Sequence, residues 1–116
     1  MAVAIRAADA GMSVVIADPK SGPIDKARVE GLMPRTLMAL EALGISGLQG
    51  APFSGIQYLS ETHKGAARFA LGPGLGVRRT HLHQAMRSRT EALGVQWREA
   101  RITQWEEGPD WIEAAG

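Results

Sequence analysis

The chain has 116 residues, a length that suits one small domain. Hydrophobic residues make up 45% and charged residues 22%, and the net charge is +1, so neither nucleic acid nor an anionic membrane is expected as a partner. The absence of Cys excludes disulfides, thiolate nucleophiles and Cys-based zinc sites.

Residues 2–10 suit a helix, with Val3, Ala4, Ala7, Ala8 and Ala10 giving a small-residue face at helical spacing. Gly11 fits the position just past its end. Arg6 and Asp9 interrupt the apolar stretch, which therefore does not read as a secretory signal. No uncharged run reaches the ~18 residues of a membrane span, and the expectation is a soluble cytoplasmic protein. Ser13 to Ala17 then reads as a buried strand, because Val14, Val15 and Ile16 are consecutive and β-branched. Asp18-Pro19 stops it. A short helix that ends in Gly and feeds an all-apolar strand is an α/β signature.

Residues 19–33 read as a loop, far longer than the roughly 2–6 residues of an ordinary α/β connection. Pro34 fits the first turn of a helix with Leu37, Leu40 and Leu43 on its apolar stripe and Gly44 as its stop. Ile56 to Ser60 and Ala66 to Leu71 are predicted strands, joined at Thr62–Gly65. A second long helix is predicted over 80–93, with Leu82, Ala85, Met86 and Leu93 inward and Gly94 closing it. The similar endings at Glu41–Ile45 and Glu91–Val95 are read as helix stops followed by strand starts rather than as an internal repeat. Val95 to Trp97, Arg101 to Trp105 and a segment from Trp111 are further strands, the last two separated by the turn Glu107–Asp110.

Few residues carry a chemical signal. Asp18 stands at the carboxyl end of a predicted strand, where an acid binds ribose hydroxyls in a dinucleotide unit; an Asp-Pro turn opener accounts for it equally well. Arg78-Arg79 sits at the start of the 80–93 helix, where cations oppose the helix dipole unless an anion is bound. A solvated pair ahead of a Thr80 cap is the plainer reading. Gly72–Gly76 is glycine-rich, but Val77 occupies the place of the third glycine in G-x-G-x-x-G, and a loop is expected there. His81 and His83 are spaced wrongly for a shared metal, and His63 lies in a turn. Trp97, Trp105 and Trp111 alternate with polar residues, a pattern of core or sheet-face packing. No residue is assigned as acid, base or nucleophile.

Three segments in order, "AVAIRAADAGMSVVIADPK", "DKARVEGLMPRTLMALEALGI" and "GPGLGVRRTHLHQAMRSRTEALGVQW", carry a resemblance that spans almost the whole chain. They resemble FAD-dependent monooxygenases and oxidoreductases of the para-hydroxybenzoate hydroxylase type, including geranylgeranyl-reductase-like relatives. The resemblance implies an α/β fold: a partial FAD/NAD(P)-binding Rossmann-like domain with a β-strand insertion, lacking the first strand and glycine fingerprint. Residues 1–54 would be the nucleotide-binding part, 55–72 the β insertion and 73–116 a helix plus a β hairpin. Asp18 would bind the adenosine ribose, with Lys20 in the adjoining basic position. Glu30, Gly31, Leu32, Met33 and Pro34 would match the loop that passes close to the flavin, and Arg79 a cofactor-contacting arginine. FAD is the implied cofactor, NAD(P)H the reductant of the complete enzyme and a small molecule its substrate.

The chain departs from the family at Arg28-Val29, where the relatives show Cys-Gly, so a positive φ there would strain Val29 by about 1–3 kcal/mol. The first strand and glycine-rich turn of the family would lie upstream of Met1, and the Gly-Asp-Gly segment beyond Gly116. Val14, Val15 and Ile16 would then lack a neighbouring strand. The chain as given is expected to bind FAD weakly or not at all and to lose it on desalting. Self-association or a partner chain would complete the sheet. A non-catalytic remnant, or a partner-dependent module of the same fold without stable FAD binding, stays open as the second reading.

Overall fold

Three helices end in the same way. They are α1 (Ala2–Asp9), α2 (Pro34–Ala42) and α3 (Arg79–Ala92), and each is followed by a glycine with positive φ: 84° at Gly11, 82° at Gly44 and 79° at Gly94. Gly44 N–H donates to the Glu41 carbonyl at 2.9 Å and Ile45 N–H to the Leu40 carbonyl at 2.9 Å. Gly94 and Val95 repeat this with Glu91 and Thr90, each at 3.0 Å, and Gly11 and Met12 with Ala8 and Ala7, again at 3.0 Å. This paired bonding caps the last helical carbonyls and needs a left-handed residue. It explains the likeness of Glu41–Ile45 and Glu91–Val95 without any duplication.

The structure is a computed structural model that describes residues 1–20 and 29–116. Its strands are β1 (Val15–Asp18), β2 (Val29–Leu32), β3 (Ala51–Phe53), β4 (Gly55–Leu59), β5 (Lys64–Arg68), β6 (Gly74–Arg78), β7 (Gln96–Glu99), β8 (Gln104–Glu107) and β9 (Ile112–Ala115). The result is a mixed α/β protein with several small sheets. Two units are interleaved in sequence: Met1–Pro23 with Arg87–Gly116, and Ile24–Met86.

In the first unit β1 and β7 form a parallel pair, with Val15 opposite Gln96 and Asp18 opposite Glu99. β8 and β9 form an antiparallel hairpin. Ala4, Ile5 and Val95 are the buried apolar residues of this unit, joined by a fully buried Thr90. Asp9 and Arg89 tie α1 to α3 through an ion pair at 3.7 Å. In the second unit β6 is the central strand of a three-stranded antiparallel sheet, β2-β6-β3. α2 packs on β6, and Leu32, Leu40, Ile45 and Val77 are buried. β4 and β5 make a separate antiparallel hairpin.

Several expectations need correction. Gly72–Gly76 is not simply a loop, because Gly74 starts the central strand β6. The glycines permit it: a Cβ on Gly74 would lie 2.6 Å from Phe53 Cζ and 2.7 Å from the Leu32 carbonyl. The end of the predicted 19–33 loop, Val29–Leu32, is also a strand, paired along β6. Val29 is extended, and among the described residues no non-glycine has positive φ, so the expected strain at Val29 does not arise. Arg28 and the middle of that loop lie outside the described residues. α1 turns Ala4 and Ile5 inward and leaves Val3 83% exposed, so Val3 does not belong to its buried face. Trp105 and Trp111 are 65% and 50% exposed, which removes them from the core; Trp97 is half-buried.

Candidate functional site

β1 delivers Asp18 to the carboxyl end of a parallel strand pair, half-buried and in register with Glu99. The chain turns immediately, and the turn uses the carboxylate: Lys20 N–H donates to Asp18 Oδ1 at 2.9 Å. The Asp18 carbonyl accepts Ala100 N–H at 3.1 Å, which holds the strand ends together. Among the described residues Oδ2 has no hydrogen-bond partner. Asp18 and Lys20 line a hollow of about 200 Å³ together with Arg87, Trp97, Arg98 and Glu99. Crevices beyond the carboxyl ends of parallel strands are where α/β sheets bind ligands.

The remaining predicted site residues belong to the second unit. Glu30 and Gly31 lie on β2 opposite Val77 and Gly76. Arg79 is the first residue of α3, which makes Thr80 an internal helical residue and not the cap. Arg79 Nε lies 3.7 Å from Glu30 Oε1, with the two side chains 47% and 42% exposed. Thus Glu30 gives Arg79 a counter-charge, through an exposed pair worth about 0–1 kcal/mol. Gly31 is not demanded by packing, since an added Cβ would make an ordinary 3.8 Å contact with Phe53.

Arg78, Thr80, His81, Gln84 and Gln49 surround a second polar hollow of about 400 Å³, in which Gln49 N–H donates to His81 Nε2 at 3.4 Å. A larger hollow, about 830 Å³, opens between the β4–β5 hairpin and Pro52, Phe53 and Pro73; Arg68 is its single charged group. None of the predicted site residues lines it. Among the described residues no three His, Asp or Glu gather to hold a metal, and no helix is long and apolar enough to cross a membrane.

Comparison with known proteins finds no match. No family model, no curated protein and no solved structure matches the chain.

The Asp18 hollow is the site with the most defined chemistry. Two carboxylates, Asp18 and Glu99, three cations and the Trp97 ring line a space open to solvent. Asp18 and Lys20 carry a signal in the sequence; Arg98, Trp97 and Glu99, which line the same hollow, carry none. Arg87 did carry a signal: its i,i+4 spacing to Glu91 gives the bond seen at 2.9 Å.

Proposed function

We propose that this chain is the adenosine-binding portion of an FAD-dependent oxidoreductase of the para-hydroxybenzoate hydroxylase type. The observation that carries the reading is Asp18, an acid at the carboxyl end of a parallel strand, with an unpartnered oxygen beside a hollow that holds Lys20, Arg87 and Trp97. Residues fit for the adenosine half of FAD are therefore present. On this reading β1 and β7 belong to a Rossmann-like parallel sheet, β4–β5 is its strand insertion and β8–β9 its hairpin.

Bound FAD, with NAD(P)H as reductant, supplies the electron transfer of such an enzyme. This chain's own residues bind and orient. Asp18 Oδ2 accepts from the ribose hydroxyls, and Lys20 keeps a positive charge beside them. In the second unit β2 carries Glu30 and Gly31, the residues that the resemblance assigns to the flavin. Arg79, drawn toward Glu30, is the cation that the resemblance assigns to the cofactor. β1 has one hydrogen-bonded neighbour among the described residues, and Val15 is 54% exposed. A further parallel strand on that edge would cover Val15, and burial of such a side chain is worth about 1.5–3 kcal/mol.

Equilibrium dialysis against FAD is expected to give saturable uptake with a Kd on the order of 1 mM, about −4 kcal/mol. Asp18→Ala should weaken it at least tenfold, since hydrogen bonds to a charged acceptor are worth about 1.5–3 kcal/mol. No saturable uptake, or equal uptake by the variant, overturns the proposal and leaves the non-catalytic, partner-dependent module, which the exposure of Val15 also favours.

A further inference from the structure

Trp97 is held from two sides. Its Nε1–H donates to Thr90 Oγ1 at 3.0 Å, and the Arg87 guanidinium carbon sits 4.5 Å from the ring centroid. The supports are themselves fixed. The fully buried Thr90 donates its hydroxyl to the Arg87 carbonyl at 2.6 Å, and Arg87 Nε bonds Glu91 Oε1 at 2.9 Å. Indole and guanidinium thus form a preorganised cation–π pair, and both line the hollow that contains Asp18.

That hollow, about 200 Å³, is smaller than the roughly 300–1,000 Å³ of sites that enclose a whole small molecule. It suits one end of a longer ligand. Nucleic bases stack on aromatic rings and on arginine planes, because every base presents a π face. We propose that the Trp97–Arg87 pair is the wall against which the ligand's adenine packs while Asp18 holds the sugar, an assignment that rests on the FAD reading above. Trp97 and Arg87 are base-positioning residues, and Thr90 sets the angle of the indole. Lys20, Arg87 and Arg98 outnumber the carboxylates Asp18 and Glu99 around the hollow, which favours an anionic ligand over a neutral nucleoside.

The test uses the intrinsic emission of Trp97. Two of the three tryptophans are exposed, so Trp105→Phe with Trp111→Phe leaves Trp97 as the sole indole. Titration with ADP, which lacks a flavin, should change its emission saturably, with a midpoint matching ADP uptake in dialysis. Ribose 5-phosphate, with sugar and charge but no base, should leave the emission unchanged. Trp97→Leu should weaken ADP uptake at least about fivefold, and Trp97→Phe, which keeps a ring, should recover most of it. ADP uptake with unchanged Trp97 emission, or undiminished uptake by a folded Trp97→Leu variant, overturns the assignment while leaving the FAD reading intact. Absence of FAD and ADP uptake by the wild type overturns both. If Trp97→Leu fails to fold, the emission titration of the protein with Trp97 intact still decides.

Discussion

Replacing Thr90 by Val tests the support of Trp97 with little change of shape. Val preserves the volume, so no cavity opens, and the two residues have similar helix propensity. What is lost is the hydroxyl, which donates to the Arg87 carbonyl at 2.6 Å and accepts from Trp97 Nε1–H at 3.0 Å. Thr90 has no solvent exposure to compensate either bond. Two hydrogen bonds at about 0.5–1.5 kcal/mol each give an expected destabilisation of about 1–3 kcal/mol. In urea, with a slope of about 1–3 kcal/mol per molar, the midpoint should fall by roughly 1 M. Far-UV circular dichroism reads the midpoint. A double-mutant cycle with Trp97→Phe, which removes the same N–H, isolates the shared bond and should show coupling of at least about 0.5 kcal/mol. A Thr90→Val midpoint equal to wild type, or strictly additive variants, would refute the reasoning.

Two glycines of one sheet should behave oppositely. Gly74→Ala drives a Cβ to 2.6 Å from Phe53 Cζ and should destabilise by about 1–3 kcal/mol, whereas Gly31→Ala, at 3.8 Å from the same atom, should leave the urea midpoint within about 0.5 kcal/mol of wild type. Equal effects of the two would show that the β2-β6-β3 packing is misjudged. Glu30→Gln removes the charge facing Arg79 across 3.7 Å, and the cost should stay below about 1 kcal/mol and shrink further in 1 M salt. A larger or salt-independent loss in the urea midpoint would mean that the pair is desolvated, contrary to its exposure.

The helices were legible because their punctuation is local. Pro34 opens α2, and Gly11, Gly44 and Gly94 close the three helices with a left-handed turn that few other residues adopt. The apolar stripe Leu37, Leu40, Leu43 also turns inward as its spacing requires. The β2-β6-β3 sheet was hidden by its own composition. Gly31 and Gly74 fall in segments read as loops, yet the missing side chain at Gly74 lets its strand approach Phe53 closely, and Pro52 sits on an outer strand where a missing N–H is tolerated. At the candidate site, Asp18 was visible as an acid after an apolar run. Trp97 and Glu99 were not, because their meeting with Asp18 depends on the parallel register of β1 and β7, strands far apart in sequence. Trp105 and Trp111 misled in the other direction: Trp105 does alternate with polar residues on β8, but that side of the β8–β9 hairpin is exposed, and Trp111 lies in the turn before β9.

The central claim is that Asp18 anchors the ribose of FAD, and equilibrium dialysis of wild type and Asp18→Ala against FAD tests it most directly. The account predicts saturable uptake near 1 mM for the wild type and at least tenfold weaker uptake for the variant, in line with the loss of a charged hydrogen-bond acceptor. Identical isotherms for the two proteins, or no saturation by the wild type, would contradict it.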